Sequence, residues 1–207
     1  MPFDTHDPKL YLASRSPRRR DLLVQMGIGF DTLFFRAPPR QDDEVDETAH
    51  DGEIPGHYVE RVARAKAERG WSILGLRRLM PWPVLAADTA VELDGEIIGK
   101  PLDVDDALNT LRRLSGRRHH VLTAIAIGFG NTVESFVSVS EVSFDRIDEV
   151  SIRRYIASGE PMDKAGAYGI QGRAGMFVKH LSGSYSGVMG LPLHETALLL
   201  KRFGFPV

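Results

Sequence analysis

The sequence predicts a mixed α/β fold, in which strands and helices interleave from one end of the chain to the other. Apolar runs of strand length alternate with segments whose apolar residues recur at helical spacing, and this order favours a sheet covered by helices. The chain has 207 residues, enough for one large domain or two intimate lobes. Because it contains no internal repeat and no low-complexity tract, we expect residues 1–207 to form a single domain without a separable linker.

The composition is that of an ordinary globular protein, and it excludes several functional classes. Hydrophobic residues make up 43% of the chain, charged residues 26%, and the formal net charge is −2. A general nucleic-acid binder usually carries a basic excess, so we expect no nucleic-acid partner and only a local site for any polyanion. The absence of cysteine excludes disulfides, thiolate nucleophiles and zinc–cysteine sites. The sequence shows neither a signal peptide nor a run of about 20 apolar residues, so we expect a cytoplasmic protein with no membrane partner.

Local signals predict a strand, a turn and a helix at the start of the chain. Leu10 to Ala13 is an apolar run that suits a buried strand. Pro17 suits the first position of a helix, because its missing N–H would have no partner there. Ser16 is then the natural N-cap. Apolar residues continue at helical spacing up to Gly27, where a helix of about three turns would end.

The turn between this strand and helix is strongly basic. A helix N-terminus has free N–H groups and the positive end of the helix dipole, which favour an anion. Four arginines crowd this terminus: Arg15, Arg18, Arg19 and Arg20. They repel one another unless a polyanion neutralises them, and phosphate is the obvious candidate. The alternative is a solvated basic helix end, and this stretch alone favours neither.

A long acidic loop follows the second predicted strand, Phe30 to Phe35. Residues 36–57 include seven acidic residues, and loops longer than about 12–15 residues in compact domains are usually functional or mobile. The helix predicted over Pro55 to Gly70 carries Lys66 on its inward face. A lysine there either extends past the edge of the core or points into a cleft, and helical geometry alone favours the first. Residues 71–82 are assigned no structure.

The rest of the chain predicts further alternating elements. Asp94-Gly95 between apolar runs is a strong hairpin signal. The predicted elements are a strand Pro83–Asp88, a hairpin of Ala90–Leu93 with Glu96–Gly99, a helix capped by Asp103 and closed by Ser115-Gly116, strands Val121–Phe129 and Val133–Ile147, a helix from Asp148, a strand Met176–Leu181 and a helix Leu191–Phe203. Val121–Phe129 is apolar on both faces, as a central strand is. The parity of the apolar residues changes within the next strand, which predicts a bulge near Glu141.

Four further residues are candidates for chemistry, although each has a plainer explanation when taken alone. Asp88 ends a predicted buried strand, where α/β proteins often place chemistry, but a single aspartate more often caps a turn. Lys100 can lie in an exposed turn, and Glu47 can belong to a solvated acidic loop. Gln171 lies in the glycine-dense segment 163–175, where glycine permits close approach of the backbone to a ligand, but it can equally cap backbone groups.

The combination of these features is more specific than any one of them. A basic anion turn, carboxylates able to hold a divalent ion and separated lysines are the parts that phosphoryl chemistry on a nucleotide requires. Six motifs occur in order: Leu12-Ala-Ser-Arg-Ser-Pro-Arg-Arg, Ala87-Asp-Thr-Ala-Val, Gly99-Lys-Pro, Leu114-Ser-Gly-Arg-Arg-His, Asp163-Lys-Ala-Gly-Ala-Tyr-Gly-Ile-Gln-Gly and Gly190-Leu-Pro-Leu. Through them the sequence resembles the Maf family of nucleoside triphosphate pyrophosphatases over nearly its whole length.

This resemblance implies an α/β fold with an elongated, twisted mixed sheet flanked by helices, and two lobes with a central cleft. It also implies metal-dependent hydrolysis to a nucleoside monophosphate and pyrophosphate, with Mg²⁺ or Mn²⁺ as cofactor. Asp88 would accept a proton from the attacking water and would hold the metal together with Glu47. The phosphate ligands that the resemblance implies are Ser14, Arg18, Arg19, Lys66 and Lys100. Two departures from the family pattern are the lengthened segment 36–57 and Arg15, where the family often has a small residue.

Within the family, the sequence is similar to the branch that acts on dTTP and UTP. The implied specificity positions are Arg18, Thr89 and Gln171, where the 7-methyl-GTP branch tends towards Trp, Gln and Glu. A glutamine amide offers a donor and an acceptor, which can match the N3–H and a carbonyl of uracil or thymine. The expected partners are the nucleoside triphosphate and a second copy of the chain, bound through the apolar strand Val133–Phe144. The alternatives are a nucleotide-binding regulator of cell division that inhibits septum formation, and a broad hydrolase of modified nucleotides.

Overall fold

The computed structural model describes residues 8–36, 42 and 45–207, and within them seven strands form one sheet covered by six α-helices. The strands are β1 (Lys9–Leu12), β2 (Gly29–Thr32), β3 (Val84–Leu93), β4 (Glu96–Ile98), β5 (Arg118–Phe129), β6 (Thr132–Phe144) and β7 (Val178–Ser182). The helices are α1 (Pro17–Gln25), α2 (Pro55–Arg77), α3 (Val104–Leu114), α4 (Glu149–Ile156), α5 (Tyr185–Met189) and α6 (Leu193–Arg202). None of the helices in the described ranges is long and apolar enough to cross a lipid bilayer.

The sheet is open and mixed, which confirms the predicted fold class. Its strand order is β2-β1-β3-β5-β6-β7, with β4 paired to β3 beside this path. Strand β1 runs parallel to both β2 and β3, whereas the other pairs are antiparallel. Strand β5 is central, as its apolar residues on both faces predict, because β3 and β6 flank it along most of its length.

Alternation of side chains along β3 divides the core into three apolar clusters. Val84, Ala86 and Ala90 pack with the long helix α2 on one face of the sheet. On the other face, the residues around Leu85 pack with α1 and α6, whereas those around Leu93 pack with α3 and α4. Because successive strand residues face opposite sides, Asp88 falls on the α2 face and Thr89 falls between the two clusters of the other face. Polar residues of β3 therefore interrupt the apolar surface of the sheet at the point where the two clusters of one face meet.

The helix caps and the hairpin turn form where local sequence signals predict them. The side chains of Ser16, Asp103 and Asp148 each accept a hydrogen bond from the backbone N–H three residues later, as N-caps do. Gly27 follows α1 with φ of +71°, and Asp94-Gly95 turn the hairpin with φ of +57° and +85°. These conformations suit glycine and, at lower cost, aspartate, so the predictions are confirmed.

Strand boundaries differ from the predictions where a neighbouring strand decides them. Asp88 was predicted to end a strand, but β3 runs on to Leu93 because it pairs with β5 residue by residue through this region. Strand β2 ends at Thr32 because β1, its partner, ends opposite it. The irregularity predicted near Glu141 is present in β6 but lies two residues further on, between Ser143 and Phe144, where β6 pairs with β7.

Helix boundaries differ from the predictions where packing extends or interrupts a helix. Helix α2 continues seven residues beyond the predicted end because Ile73 and Leu74 are buried against the sheet. It stops at Arg78, which takes the left-handed conformation with φ of +53°. The turn-rich segment before the last helix contains the short helix α5, which ends at Gly190 with φ of +113°. Helix α6 therefore begins at Leu193, two residues after the predicted start.

Candidate active site

A cleft of about 940 Å³ lies at the polar residues Asp88 and Thr89 of β3, where the apolar surface of the sheet is interrupted. Its size falls at the upper end of the range for small-molecule sites, about 300–1,000 Å³. It is lined by every residue that the sequence nominated for the site: Ser14, Arg18, Arg19, Glu47, Lys66, Asp88, Thr89, Lys100 and Gln171. The fold thus brings together residues that lie up to 157 positions apart in the chain.

Arg19 is held inside the cleft wall by contacts with several elements. Its Nε donates to the carbonyl of Gly190 at 2.8 Å, and its NH1 donates to the carbonyl of Ala87 at 2.9 Å and to Ser14 Oγ at 3.4 Å. Its NH2 donates to Thr89 Oγ1 at 3.0 Å. Burial lowers the pKa of Arg19, and the nearby Asp88 carboxylate opposes that shift. Four of the five N–H groups of this guanidinium therefore organise the turn, and one N–H of NH2, which has no partner among the described residues, is left for a ligand.

The other arginines of the basic turn have different surroundings. Arg18 lies on the cleft wall with a loose ion pair to Asp163, whose Oδ2 is 3.7 Å from NH1. Arg15 donates through NH2 to the carbonyl of Phe35 at 2.8 Å. Arg20 is exposed and does not line the cleft. The geometry thus leaves Arg18 as the cleft-lining guanidinium of this turn with the loosest contact among the described residues, and Arg19 can offer a ligand only its remaining N–H.

A buried acid–base cluster lies on the opposite side of β3. Lys66 Nζ is 2.9 Å from Asp88 Oδ1 and 2.9 Å from Glu47 Oε2. The side chains of Lys66 and Asp88 are only 13% and 10% exposed, whereas that of Glu47 is 53% exposed. Helical geometry alone favoured a lysine extended past the core edge; this interpretation is wrong, because the ammonium is drawn inward by two carboxylates.

The negative charge of this cluster extends to its neighbours. Burial raises the pKa of Tyr58 to about 12, and the carboxylates of Asp88 and Glu47 add to the rise because they disfavour a phenolate beside them. The Tyr58 hydroxyl donates to the backbone carbonyl of Glu47 at 3.0 Å. This side of the cleft is therefore suited to a cation, whereas the turn before α1 is suited to an anion.

Arg61 fastens the acidic loop to α2, and sequence analysis missed it. Its guanidinium binds the carboxylate of Glu53 through two nitrogens, at 2.7 and 2.8 Å, and lowers the pKa of that glutamate to about 2. It also donates to the carbonyls of Asp46 and Thr48, the residues on either side of Glu47. An arginine eight residues after a glutamate at a helix start is a weak signal, so the sequence offered little to find it.

The donor set of the cluster fits a hard divalent cation. Glu47 and Asp88 supply two carboxylates, both already in contact with one positively charged group. Within residues 8–36, 42 and 45–207, no group of three or more His, Asp or Glu side chains is placed to hold a metal ion. Mg²⁺ is commonly bound by one or two carboxylates, with waters and substrate phosphates completing its shell. The two residues predicted as ligands therefore match that chemistry.

Gln171 and Lys100 lie at the exposed rim of the cleft. The segment that carries Gln171 is fixed from beneath, since the Tyr155 hydroxyl accepts from the N–H of Gly169 at 3.2 Å and Glu160 accepts from that of Arg173 at 3.2 Å. Close contact with Glu160 also explains the following glycine, where a Cβ would lie 2.1 Å from a carboxylate oxygen. Gln171 is thus presented on a supported turn.

The fold and the cleft together define an α/β protein with a polyphosphate site, in which a basic helix turn faces a buried carboxylate–lysine cluster. Comparison with known proteins makes this more specific. Residues 9–203 match the family described as Maf-like protein. The chain belongs to the Maf family.

Several relatives match over nearly their whole length. A dTTP/UTP pyrophosphatase of Dechloromonas aromatica (strain RCB) is 62% identical over 197 residues, covering 95% of this chain and 98% of the relative. One of Aromatoleum aromaticum is 56% identical, covering 96% and 97%, and one of Chromobacterium violaceum is 51% identical, covering 98% of each. A solved structure of the Staphylococcus aureus Ham1 protein matches with a TM-score of 0.43 and 18% identity over 66% of this chain and 71% of that one.

Proposed function

We propose that the protein is a nucleoside triphosphate pyrophosphatase that hydrolyses dTTP and UTP to the nucleoside monophosphate and pyrophosphate. The observation that carries this proposal is the meeting of the buried Asp88–Lys66 pair and the basic turn before α1 in one cleft. The relatives named dTTP/UTP pyrophosphatase, at 50–62% identity, support the same activity. A regulator of cell division that only binds nucleotide is not favoured, because these relatives are named as enzymes.

Five residues of the cleft would bind the triphosphate: Ser14, Arg18, Arg19, Lys66 and Lys100. Ser14 Oγ accepts from the N–H of Ser16 and from Arg19, so its own proton is left for a phosphate oxygen. Arg18 and Lys100 carry charges at the cleft surface, whereas Lys66 stands deeper, beside Asp88. Charge-assisted hydrogen bonds of this kind stabilise the negative charge that develops towards the pyrophosphate leaving group.

Asp88 would orient the attacking water and accept its proton. Lys66 contacts Oδ1 of this carboxylate, which leaves Oδ2 for the water that attacks the α-phosphorus. Burial of the pair keeps the carboxylate in one orientation, and positioning of this kind is a large part of catalysis of phosphoryl transfer. A divalent cation held by Glu47 and Asp88, Mg²⁺ or Mn²⁺, would neutralise triphosphate charge when bound.

Specificity for a pyrimidine would come from the rim of the cleft. The Gln171 amide can donate to a base carbonyl and accept from N3–H, a pattern that uracil and thymine share. Arg18 and Thr89 would shape the same end of the cleft. Because the two bases differ by one methyl group, which is worth only about 1–3 kcal/mol in an apolar pocket, we expect both dTTP and UTP to be substrates.

The test is release of pyrophosphate from dTTP and UTP with Mg²⁺ or Mn²⁺, for the wild type and Asp88→Asn. We expect the variant to lose most of its turnover while still binding nucleotide, because the amide cannot accept the proton. Unchanged turnover would remove Asp88 from this role. A panel that includes purine and modified pyrimidine triphosphates then separates this function from broad hydrolysis of modified nucleotides, and absence of hydrolysis of any nucleotide would contradict the enzymatic function itself.

We also propose that the protein is a homodimer that pairs through β6. Within the described residues, β7 pairs only with Glu141–Phe144 of this strand, so the long edge from residue 132 to residue 140 has no strand partner there. Val139 on this segment is 54% exposed, and unpaired edges readily accept another strand. Sedimentation of the wild type and of Val139→Lys tests the proposal, since the charge should favour the monomer. We propose, in addition, a cytoplasmic location and a single domain over residues 1–207, with two intimate lobes and no separable linker.

A further inference from the structure

A row of hydroxyl groups crosses the sheet at the floor of the cleft. Thr89 on β3 lies directly opposite Thr123 on β5, and Thr123 lies opposite Ser138 on β6. The residues next to this row on the same face are apolar: Ala87 and Val91 on β3, and Val121 and Ile125 on β5. Buried hydroxyl groups require hydrogen-bond partners. The contacts of this row therefore show which groups these hydroxyls hold in place.

The directions of the hydrogen bonds in this row follow from the number of protons available. Thr123 is fully buried, and its Oγ1 is 2.8 Å from the carbonyl oxygen of Gly187, which can only accept. Its single hydroxyl proton is therefore donated there. Thr89 Oγ1 lies 2.9 Å from Thr123 Oγ1, so Thr89 must be the donor of that bond. The Thr89 oxygen then accepts from Arg19 NH2 at 3.0 Å.

These directions limit what Thr89 can do for a ligand. Its proton is already given to Thr123, so it does not donate a hydrogen bond to a nucleotide base. Its oxygen is instead an acceptor that fixes one side of the Arg19 guanidinium. The same guanidinium donates to the carbonyl of Gly190, at the end of the helix whose Gly187 is held by Thr123. These five residues thus form a closed network that links β3, β5, α1 and α5.

We propose that Thr123 is a positioning residue that orients the Thr89 hydroxyl and, through it, holds Arg19 for a phosphate of the substrate. The proposal rests on the proposed function only in naming the phosphate as that of a nucleoside triphosphate. It assigns Thr89 an effect on polyphosphate binding that is common to all nucleotides, in addition to the shape that this residue gives to the cleft.

The experiment compares the isosteric Thr123→Val with Thr123→Ser, which keeps the hydroxyl. Inorganic tripolyphosphate, measured by calorimetry, is the probe of binding, and kcat and KM are measured with dTTP and UTP. We expect Thr123→Val to weaken tripolyphosphate binding about tenfold and to lower kcat/KM for both nucleotides by a similar factor, because one buried hydrogen bond is lost at each end. Thr123→Ser should stay within about threefold of the wild type.

Two comparisons separate positioning from loss of stability. Thr196→Val removes another fully buried threonine hydroxyl, which lies on α6 and donates to the carbonyl of Pro192 at 2.7 Å, and it should leave tripolyphosphate binding unchanged. The double variant Thr89→Val/Thr123→Val should bind no more weakly than Thr89→Val alone, because both act through one network. Additive losses, or a Thr89→Val variant that changes the ratio of dTTP to UTP without weakening tripolyphosphate binding, would overturn the proposal.

The outcomes also distinguish this proposal from the proposed function. If the wild type hydrolyses no nucleotide but Thr123→Val weakens tripolyphosphate binding, the proposed function fails and the positioning role stands. If hydrolysis occurs but Thr123→Val binds and turns over like the wild type, the positioning role fails alone. Should Thr123→Val not fold, Thr89→Val against Thr89→Ser makes the same comparison from the other end of the hydrogen bond.

Discussion

Lowering the pH should destabilise the folded protein, because a neutral histidine is buried beneath the segment that carries Gln171. His119 is 1% exposed, and its Nε2 lies 2.8 Å from the hydroxyl oxygen of Tyr168, which lines the cleft. The imidazole also packs edge-on against the ring of Phe144. Its Nδ1 is buried with no hydrogen-bond partner among the described residues. An imidazolium at this position would carry a proton that nothing described accepts.

The magnitude follows from the difference between the pKa values in the two states. Burial lowers the pKa of His119 to about 4 from an ordinary value of 6.5, while the neighbouring His120 adds to the shift and Glu92 opposes it. As the pH falls, the unfolded chain therefore takes up the proton before the folded protein does. The contribution of neutral His119 to the free energy of unfolding is fully present above about pH 6.5 and is lost progressively as the pH falls to about 4. At about 1.4 kcal/mol per pKa unit, the loss amounts to about 3 kcal/mol.

The assay is urea unfolding at pH 7 and at pH 4, for the wild type and for His119→Gln. A glutamine amide can still form a hydrogen bond with the Tyr168 hydroxyl, but it does not titrate. The other titrating groups contribute equally to the pH dependence of both proteins. Between the two pH values, the wild type should lose about 3 kcal/mol more free energy of unfolding than the variant. Parallel pH dependences in the two proteins would refute the argument, since they would show that the imidazole is not buried in its neutral form.

Three further predictions concern the cleft. Lys66→Met should lower the free energy of unfolding by about 3 kcal/mol because a buried carboxylate loses its cation, and Asp88→Asn in the same chain should restore most of that loss. Arg61→Gln should raise the Mg²⁺ or Mn²⁺ concentration for half-maximal pyrophosphate release about tenfold, since its guanidinium holds the backbone on both sides of Glu47. Gly190→Ala should cost about 1–3 kcal/mol of stability in thermal unfolding, because the φ of residue 190 is +113°. It should also lower turnover, because the new methyl would lie 3.4 Å from Nε of Arg19.

Matched variants provide the controls. Arg113→Met breaks an exposed ion pair with Glu96 and should cost less than about 1 kcal/mol. Arg64→Gln changes an arginine of the same helix that bonds to Ser135 instead, and it should leave the metal dependence unaltered. Gly27→Ala also places an alanine at a positive φ, +71°, with nothing within 4 Å of the new methyl, so turnover should be retained. Equal effects of a variant and its control would contradict the corresponding prediction.

The parts of the fold that the sequence predicted well are those that short-range chemistry decides. The caps at Ser16, Asp103 and Asp148 and the turn at Asp94-Gly95 each depend on one side chain and the backbone within three or four residues. Errors arose where a distant partner decides the outcome. Strand β3 passes through Asp88 because β5 lies beside it, and a chain read residue by residue contains no sign of that pairing.

The candidate site shows the same division. The ordered motifs, through their family resemblance, nominated the residues that line the cleft, from Ser14 to Gln171. They did not indicate Arg61 or Thr123, because these residues act on other residues of the site and carry no chemistry that a motif would display. Their partners lie in other elements, and the only signal of Thr123 was one hydroxyl in the otherwise apolar run from Val121 to Phe129.

The sequence by itself determined the mixed α/β class, the local turns and caps, the presence of a basic turn and the family to which the chain belongs. Only the tertiary structure decided which groups of the basic turn are free. Arg19 donates hydrogen bonds to Gly190, 171 residues away, and to Thr89, 70 residues away. Among the described residues, Arg18 makes only a loose ion pair, and it lines the cleft. The physical reason is that hydrogen bonds and burial depend on distances in space, which the chain sets only after it has folded.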